Sequence, residues 1–447
     1  MALSWVSEIA SWIRNGNYWS SMDSIAWKNL PDIALIEVYG YLGDGDRANM
    51  ALTCKNWCRI FETPRLWRSR SFEIGGYKAS QIGQIAVKFS EKYGSFIRYL
   101  TLSCSHPSSH TCKIIQKTME DFFQNIESAR IYDFELERLE LERFWKYDNV
   151  REKLVDSFVK FFRNQSHLRT FDMSSAQCPL TMGCKILEAV REASGESVDD
   201  LCLEDFFHSR LAVFQVKRFR GIIAGFTNLR FLSINYNCIS EAIIEILTTS
   251  ASGKLRNFSI KVYRSDPHFH RIPTSVWRRL KQSCPCLEVD IWFESIGNST
   301  EILPILVPDI PLRDIHLWTG YDDDAEWNLH ATLMHIGNNF KHCLANVSME
   351  LDNNHEIIDE AILNLINKCK KLKDLTINAF VSVDAIKQIC ELQEENKIKL
   401  RHFNMTACGL SEVEWTDLCE IRDRYEPMFK ARDLKFFIKS DLLIDAQ

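Results

Sequence analysis

His268 and His270 stand two apart beside Pro267, and Cys284 and Cys286 follow, also two apart. Two imidazoles and two thiols are the donor set of a tetrahedral zinc site. The local context argues against one. Ser283-Cys284-Pro285-Cys286-Leu287 falls where a helical stretch turns into an apolar strand, a place where small thiols pack well, and the histidines fall in a loop. The pattern is one of packing, and neither a metal nor a cofactor is expected. Nucleophilic chemistry has no better footing. Ser, His and Asp are abundant, yet no serine sits in a G-x-S-x-G elbow and no Gly-rich loop is built to cradle phosphates. Fifteen cysteines leave a covalent thiol ligase conceivable. It would need an activated Cys beside His and Asp, and no part of the chain outside the repeats described below is large enough for a catalytic domain. No catalytic residue, and so no enzyme, is expected.

The elements that could position side chains fill the rest of the chain. Its 447 residues suffice for about two or three domains. The net charge of −6 gives no overall basic character that would point to nucleic acid. No run approaches the roughly 18 apolar residues of a membrane span. Met1 to Trp19 contains Glu8 and Arg14 and lacks the unbroken apolar core of a signal peptide. Trp5, Ile9, Trp12 and Ile13 fit either a short amphipathic helix or a loosely ordered tail. Cysteines scattered through a long chain with no export signal point to reduced thiols, hence cytoplasm or nucleus. Arg278-Arg279 and Lys370-Lys371 fall on predicted outer helices and their ends, as solvated faces.

Trp27 to Arg68 is denser. Leu30-Pro31 opens it, and a proline suits a helix start. Ile33, Leu35, Ile36, Val38, Tyr39, Tyr41 and Leu42 then carry too much apolar surface for one stripe of a short helix. Gly43 to Asp46 breaks the pattern, with Asp46 as the predicted N-cap of a second helix. A third helix follows around Lys55 to Phe61. Three small helices bury too little to be stable alone, so one apolar face must meet something else. Leu30-Pro31, Leu35, Val38, Tyr39, Leu42, Cys54-Lys55-x-Trp57 and Leu66-Trp67 resemble the F-box. That resemblance implies docking on Skp1, and through it on a cullin, by Leu30, Pro31, Leu35, Ile36, Val38, Tyr39, Leu42, Trp57, Leu66 and Trp67.

Beyond a predicted joining helix at 76–95, L-x-x-L-x-L recurs about every 25–40 residues, a repeat signature. Copies are Ile97-x-x-Leu100-x-Leu102, Leu136-x-x-Leu139-x-Leu141, Leu168-x-x-Phe171-x-Met173 and Leu229-x-x-Leu232-x-Ile234, and seven more run to Leu400-x-x-Phe403-x-Met405. Helical stretches such as Glu152 to Arg163 lie between. This resembles the leucine-rich repeat, including its cysteine-containing subclass. The expected architecture is α/β: a tail at 1–23, an F-box of three helices at 24–72, the joining helix, and at 96–440 a solenoid with a parallel sheet on its concave face, helices outside and a C-terminal cap.

Residues flanking the strand leucines point away from the core. Those expected on the concave face include Arg138, Glu140, Glu142, Asp172, Asp200, Phe231, Glu288, Asp290, Trp292, Asp314 and Trp318. Acids dominate, with aromatics near the middle. The implied partner is a protein segment, basic in character. The family resemblance implies the substrate receptor of a Skp1–cullin–F-box ubiquitin ligase. A repeat scaffold that holds its partner without delivering it to ubiquitin needs the same two surfaces and stays open.

Overall fold

A computed structural model describes residues 30–104, 107–108, 110–320, 327–353 and 356–441. The tail at 1–23, Trp27 and the acidic loop Asp322 to Asp324 lie outside them. The chain divides into two compact units, Met1–Arg70 and Ser71–Gln447.

The first unit holds helices Asp32–Gly40, Asp44–Ala51 and Lys55–Phe61 and a tight turn at Pro64–Trp67. The second helix begins at Asp44 after Gly43, so Asp46 is in its first turn and is not its cap; both carboxylates there complement the helix dipole. Leu35 and Tyr39 are fully buried. The Tyr39 hydroxyl donates to the Trp57 carbonyl at 2.9 Å. The Trp67 indole donates to the Phe61 carbonyl at 2.7 Å and its ring stands edge-on to Phe61 at 4.9 Å. At the end of the first helix, the Tyr39 carbonyl accepts from Leu42 N at 3.2 Å and from Arg47 Nε at 2.9 Å.

Among the described residues, thirteen strands form one sheet in sequence order. They are β1 (Ser69–Glu73), β2 (Tyr99–Ser103), β3 (Asp133–Glu137), β4 (Thr170–Asp172), β5 (Asp200–Leu203), β6 (Phe231–Asn235) and β7 (Asn257–Tyr263). β8 (Glu288–Glu294), β9 (Leu312–Trp318), β10 (Asn346–Glu350), β11 (Asp374–Ala379), β12 (His402–Cys408) and β13 (Lys435–Asp441) complete it. β2 to β13 pair in parallel. Most helices between strands pack on the next in the same order, from Ala79–Tyr93 against Thr111–Asn125 onward. The helix expected to join two domains is thus the first outer layer of the stack. Strands repeat at about 4.8 Å and packed helices at about 8–10 Å. A stack with one helix layer on one face must therefore curve, with the sheet inside. The period of two is plain in β7: Phe258, Ile260 and Val262 are buried while Ser259 and Lys261 face the helix-free side.

Two registers differ from the sequence expectation. β3 is built on Ile131, Phe134 and Leu136, not on Leu136, Leu139 and Leu141. Both triplets satisfy L-x-x-L-x-L; the aromatic core decides. Phe134 meets Phe162 edge-on at 4.9 Å and lies 6.2 Å from Phe171, and Phe123 stacks on Phe161 at 4.6 Å. Leu139 and Leu141 are buried in the turn beyond the strand, where Arg138 and Glu140 have positive φ (54° and 47°). The second difference lies between β8 and β9. Phe258 pairs with Val289, but Ile315 pairs with Ile291, and the ladder is irregular at Val289/Asp290. The repeats thus step by two residues, and Arg313 occupies the irregularity.

Asparagines tie loops to the stack. Asn235 Nδ2 donates to Asp205 at 2.7 Å and to Asp266 at 3.2 Å. Asn353 Nδ2 donates to the Phe380 carbonyl and its Oδ1 accepts from Phe380 N, both at 2.9 Å. At the far end, helix Glu412–Ala431 starts with a Ser411/Glu414 capping box. β13 then covers β12, with Phe436 packed on Phe403 and Phe429.

Candidate functional site

The first surface belongs to the helical unit. Of the ten side chains expected to meet a partner, Leu35, Tyr39, Leu66 and Trp67 are buried and shape the bundle. They offer no surface in this conformation, because the short helices need all four to close their own core. Leu30, Ile36, Leu42 and Trp57 are half-buried and Pro31 is exposed. Val38 is 40% exposed, and Ile33, Tyr41 and Leu52 are 77%, 68% and 85% exposed. Leu52, the C-cap of the second helix, was not expected, since the sequence signal was confined to the first. These four large apolar side chains stand exposed on a small bundle.

The second surface is the open face of the sheet. Register places Thr101, Glu135, Asp172, Cys202, Ser233, Ser259 and Asp290 in one row, and Asp314, Asn346, Asp374, His402 and Lys435 continue it. The corrected β3 puts Asp133, Glu135 and Glu137 on this face in place of Arg138, Glu140 and Glu142. Glu140 is only 7% exposed and is paired with Arg143 in the turn. The two-residue step also separates the aromatics. Phe231 lies in the row of Asp200 and Glu288, Trp292 beside Lys261 and His316, and Trp318 beside Glu294 and Glu350. They occupy three rows and form no shared pocket. Tyr99, which flanks Leu100 of the first copy but was not among the residues named from the sequence, stands edge-on to Tyr132 at 6.3 Å and adds an aromatic at the acidic end.

Acids near the middle are held by neighbours. Arg313 bonds Glu288, Asn346 donates to Asp314 at 2.6 Å, and Ser259 donates to Asp290 at 3.3 Å with His316 at 3.7 Å. Lys261 Nζ reaches Asp205 at 2.7 Å, Glu294 at 2.6 Å and Glu204 at 3.4 Å. Burial would lower the Lys261 pKa, but the carboxylates around it hold it above its ordinary value. Removing one cation from three half-screened acids should be costly. Lys261→Met is expected to lose about 2 kcal/mol of stability in denaturant titration; an unchanged midpoint would show that the acids relax into solvent.

Acids without an ion-pair partner among the described residues collect on β3 to β5, although Thr101 donates to Glu135 at 3.0 Å and Ser174 to Asp172. Burial, then Asp172, Asp199 and Asp133, push the Asp200 carboxyl up to about 6. Burial likewise raises Asp133, and Asp199 adds to it. A folded value above the unfolded one means that the proton favours the fold. That stabilisation is complete below the ordinary carboxylate pKa and is lost as pH rises through about 6. Asp200→Asn should therefore raise stability by about 1 kcal/mol near pH 8, after discounting for solvent screening, and by nothing near pH 3.5. Equal Tm shifts at both pH values would disprove the charge origin.

The four residues with a zinc donor set do not converge. His268 Nδ1 bonds the Asp266 carbonyl at 2.6 Å and Nε2 bonds Glu301 at 3.0 Å. His270 Nε2 bonds the Ile239 carbonyl at 2.8 Å, its ring stacked on Phe214 and Tyr236. Cys284 is buried, Cys286 exposed. Among the described residues no three His, Cys, Asp or Glu side chains are grouped to hold a metal.

Residues 27–73 match the F-box-like family. The chain is 21% identical over 293 residues to F-box/LRR-repeat protein 21 of Mus musculus, covering 60% of this chain and 59% of that protein. The same protein of Ovis aries and of Bos taurus matches at 21%. The chain thus spans 59% of the length of these curated relatives. Among solved structures, the leucine-rich repeat-containing protein LegL7 of Legionella pneumophila aligns at 11% identity and a TM-score of 0.36, over 70% of this chain and 90% of that one. The architecture is α/β: an F-box-like helical region followed by a leucine-rich-repeat stack with one parallel sheet.

Proposed function

We propose that this chain is the substrate receptor of a Skp1–cullin–F-box ubiquitin ligase. The helical unit docks on Skp1 and so on a cullin, and the repeat sheet holds a protein substrate. One observation carries the reading: a single chain joins an F-box-like unit with exposed Ile33, Tyr41 and Leu52 to a repeat sheet whose helix-free face carries aligned side chains. The chain contributes proximity and orientation to the transfer, and no catalytic group. The acids of β3 to β5, with Phe231 beside Asp200, favour a basic substrate segment, whose capture weakens as salt rises. Within the F-box proteins, Asn235-Tyr236-Asn237-Cys238-Ile239-Ser240 resembles a segment of F-box only protein 39.

The test is recovery of partners from cells on the tagged full chain and on a variant lacking residues 30–67. Skp1 and cullin should be recovered by the first alone, and sheet-bound proteins should accumulate when the variant replaces it. Bound proteins whose abundance does not change would instead indicate a scaffold.

A further inference from the structure

A cation follows the first leucine-like residue of many repeats, just before or at the strand: Arg98, Arg169, Arg230, Arg256, Lys373 and Arg401. Towards the C-terminal end these positions are stacked by backbone hydrogen bonds. The Arg313 carbonyl accepts from Ala345 N at 2.8 Å, Ala345 from Lys373 at 2.8 Å, Lys373 from Arg401 at 2.7 Å and Arg401 from Lys435 at 2.8 Å. The same edge opens into a groove of about 810 Å³. Lys370, Lys371, Lys373, Lys399 and Arg401 line it, and its one acid, Glu288, is already bonded to Arg313. Among the described residues those five cations make no ion pair. Like charges on neighbouring rungs repel, so the fold gains nothing from their alignment. Helix-dipole compensation reaches only the last turn, and Lys373, Lys399 and Arg401 lie past the ends of helices Asp359–Lys368 and Val383–Glu394.

We propose that this strand-start groove docks an acidic, Asp- and Glu-rich polypeptide segment. Leu372, Ile398 and Leu400 give it an apolar floor that suits a peptide. No aromatic side chain lines it, so it lacks the stacking platform that single-stranded nucleic acid uses. This surface is distinct from the open face, where a basic segment is expected, and it does not depend on docking by the helical unit.

The experiment is fluorescence anisotropy of a short labelled Glu-rich peptide with the full chain. The triple variant Lys371→Glu/Lys373→Glu/Arg401→Glu should bind about tenfold more weakly or worse. The milder Lys371→Gln/Lys373→Gln/Arg401→Gln, which adds no repulsion that disturbs folding, should fall between. Binding of the parent chain should weaken as salt rises. Absence of peptide binding, or equal affinity in all three proteins, overturns the proposal. So does tighter binding of a single-stranded oligoribonucleotide or of phosphatidylserine vesicles, lost in the same variants.

Discussion

Replacing Ile33, Tyr41 and Leu52 together by serine will abolish capture of Skp1 while leaving both units folded. Each side chain is already in solvent, and surface substitutions of this kind move stability by only about 0.5 kcal/mol. Loss of one well-packed anchor at an interface costs about 2 kcal/mol or more, so three together exceed what a transient complex can lose. Leu35→Ala or Tyr39→Ala would also reduce capture, but by opening the bundle core at about 2–5 kcal/mol. Circular dichroism melts of the purified full chain alongside pull-downs with recombinant Skp1 separate the two routes. Undiminished recovery with the triple serine variant would remove this face as the docking surface.

Phe162→Ala should destabilise the repeat unit by about 3–5 kcal/mol. Its ring is fully buried and touches Phe134, Phe158, Phe161 and Phe171 at 4.9–6.1 Å. It thereby joins helix Asp148–Arg163 to both β3 and β4. Stability in a stack passes between neighbours, so the defect should broaden the unfolding transition as well as lower its midpoint. A double-mutant cycle with Phe134→Ala should show coupling of about 0.5–1.5 kcal/mol. A sharp transition at the parental midpoint would mean that this aromatic cluster is not what holds β3 in register.

The repeat architecture was legible because the buried leucines recur with period two inside a longer period, and each copy repeats the signal. What the pattern lacked was phase. Ile131, Phe134, Leu136, Leu139 and Leu141 fit the motif twice, and only the facing phenylalanines select one frame. The slide between β8 and β9 was invisible for a similar reason: the alternation in each strand survives a shift of two residues, so the pattern carries no record of it. It moved Trp292 and Trp318 into different rows. In the helical unit, apolar residues on all sides of Asp32–Gly40 predicted two faces but did not say which side chain belonged to which. The edge cations were in plain view after many of the leading leucines, but their alignment depends on the register that the sequence left open.

Spatial order in the sheet equals chain order from β1 to β13, and that governs how the repeat unit responds to mechanical load. Each repeat is held only by its two neighbours. A pull on the ends of the unit therefore loads a terminal rung first and opens it like a zipper, not by shearing all rungs at once. A detached repeat of about 30 residues releases roughly 100 Å of slack, so tension within the stack drops after every event. A repeat stack built this way can surrender an outer repeat under load and regain it, while the inner rungs keep their pairing.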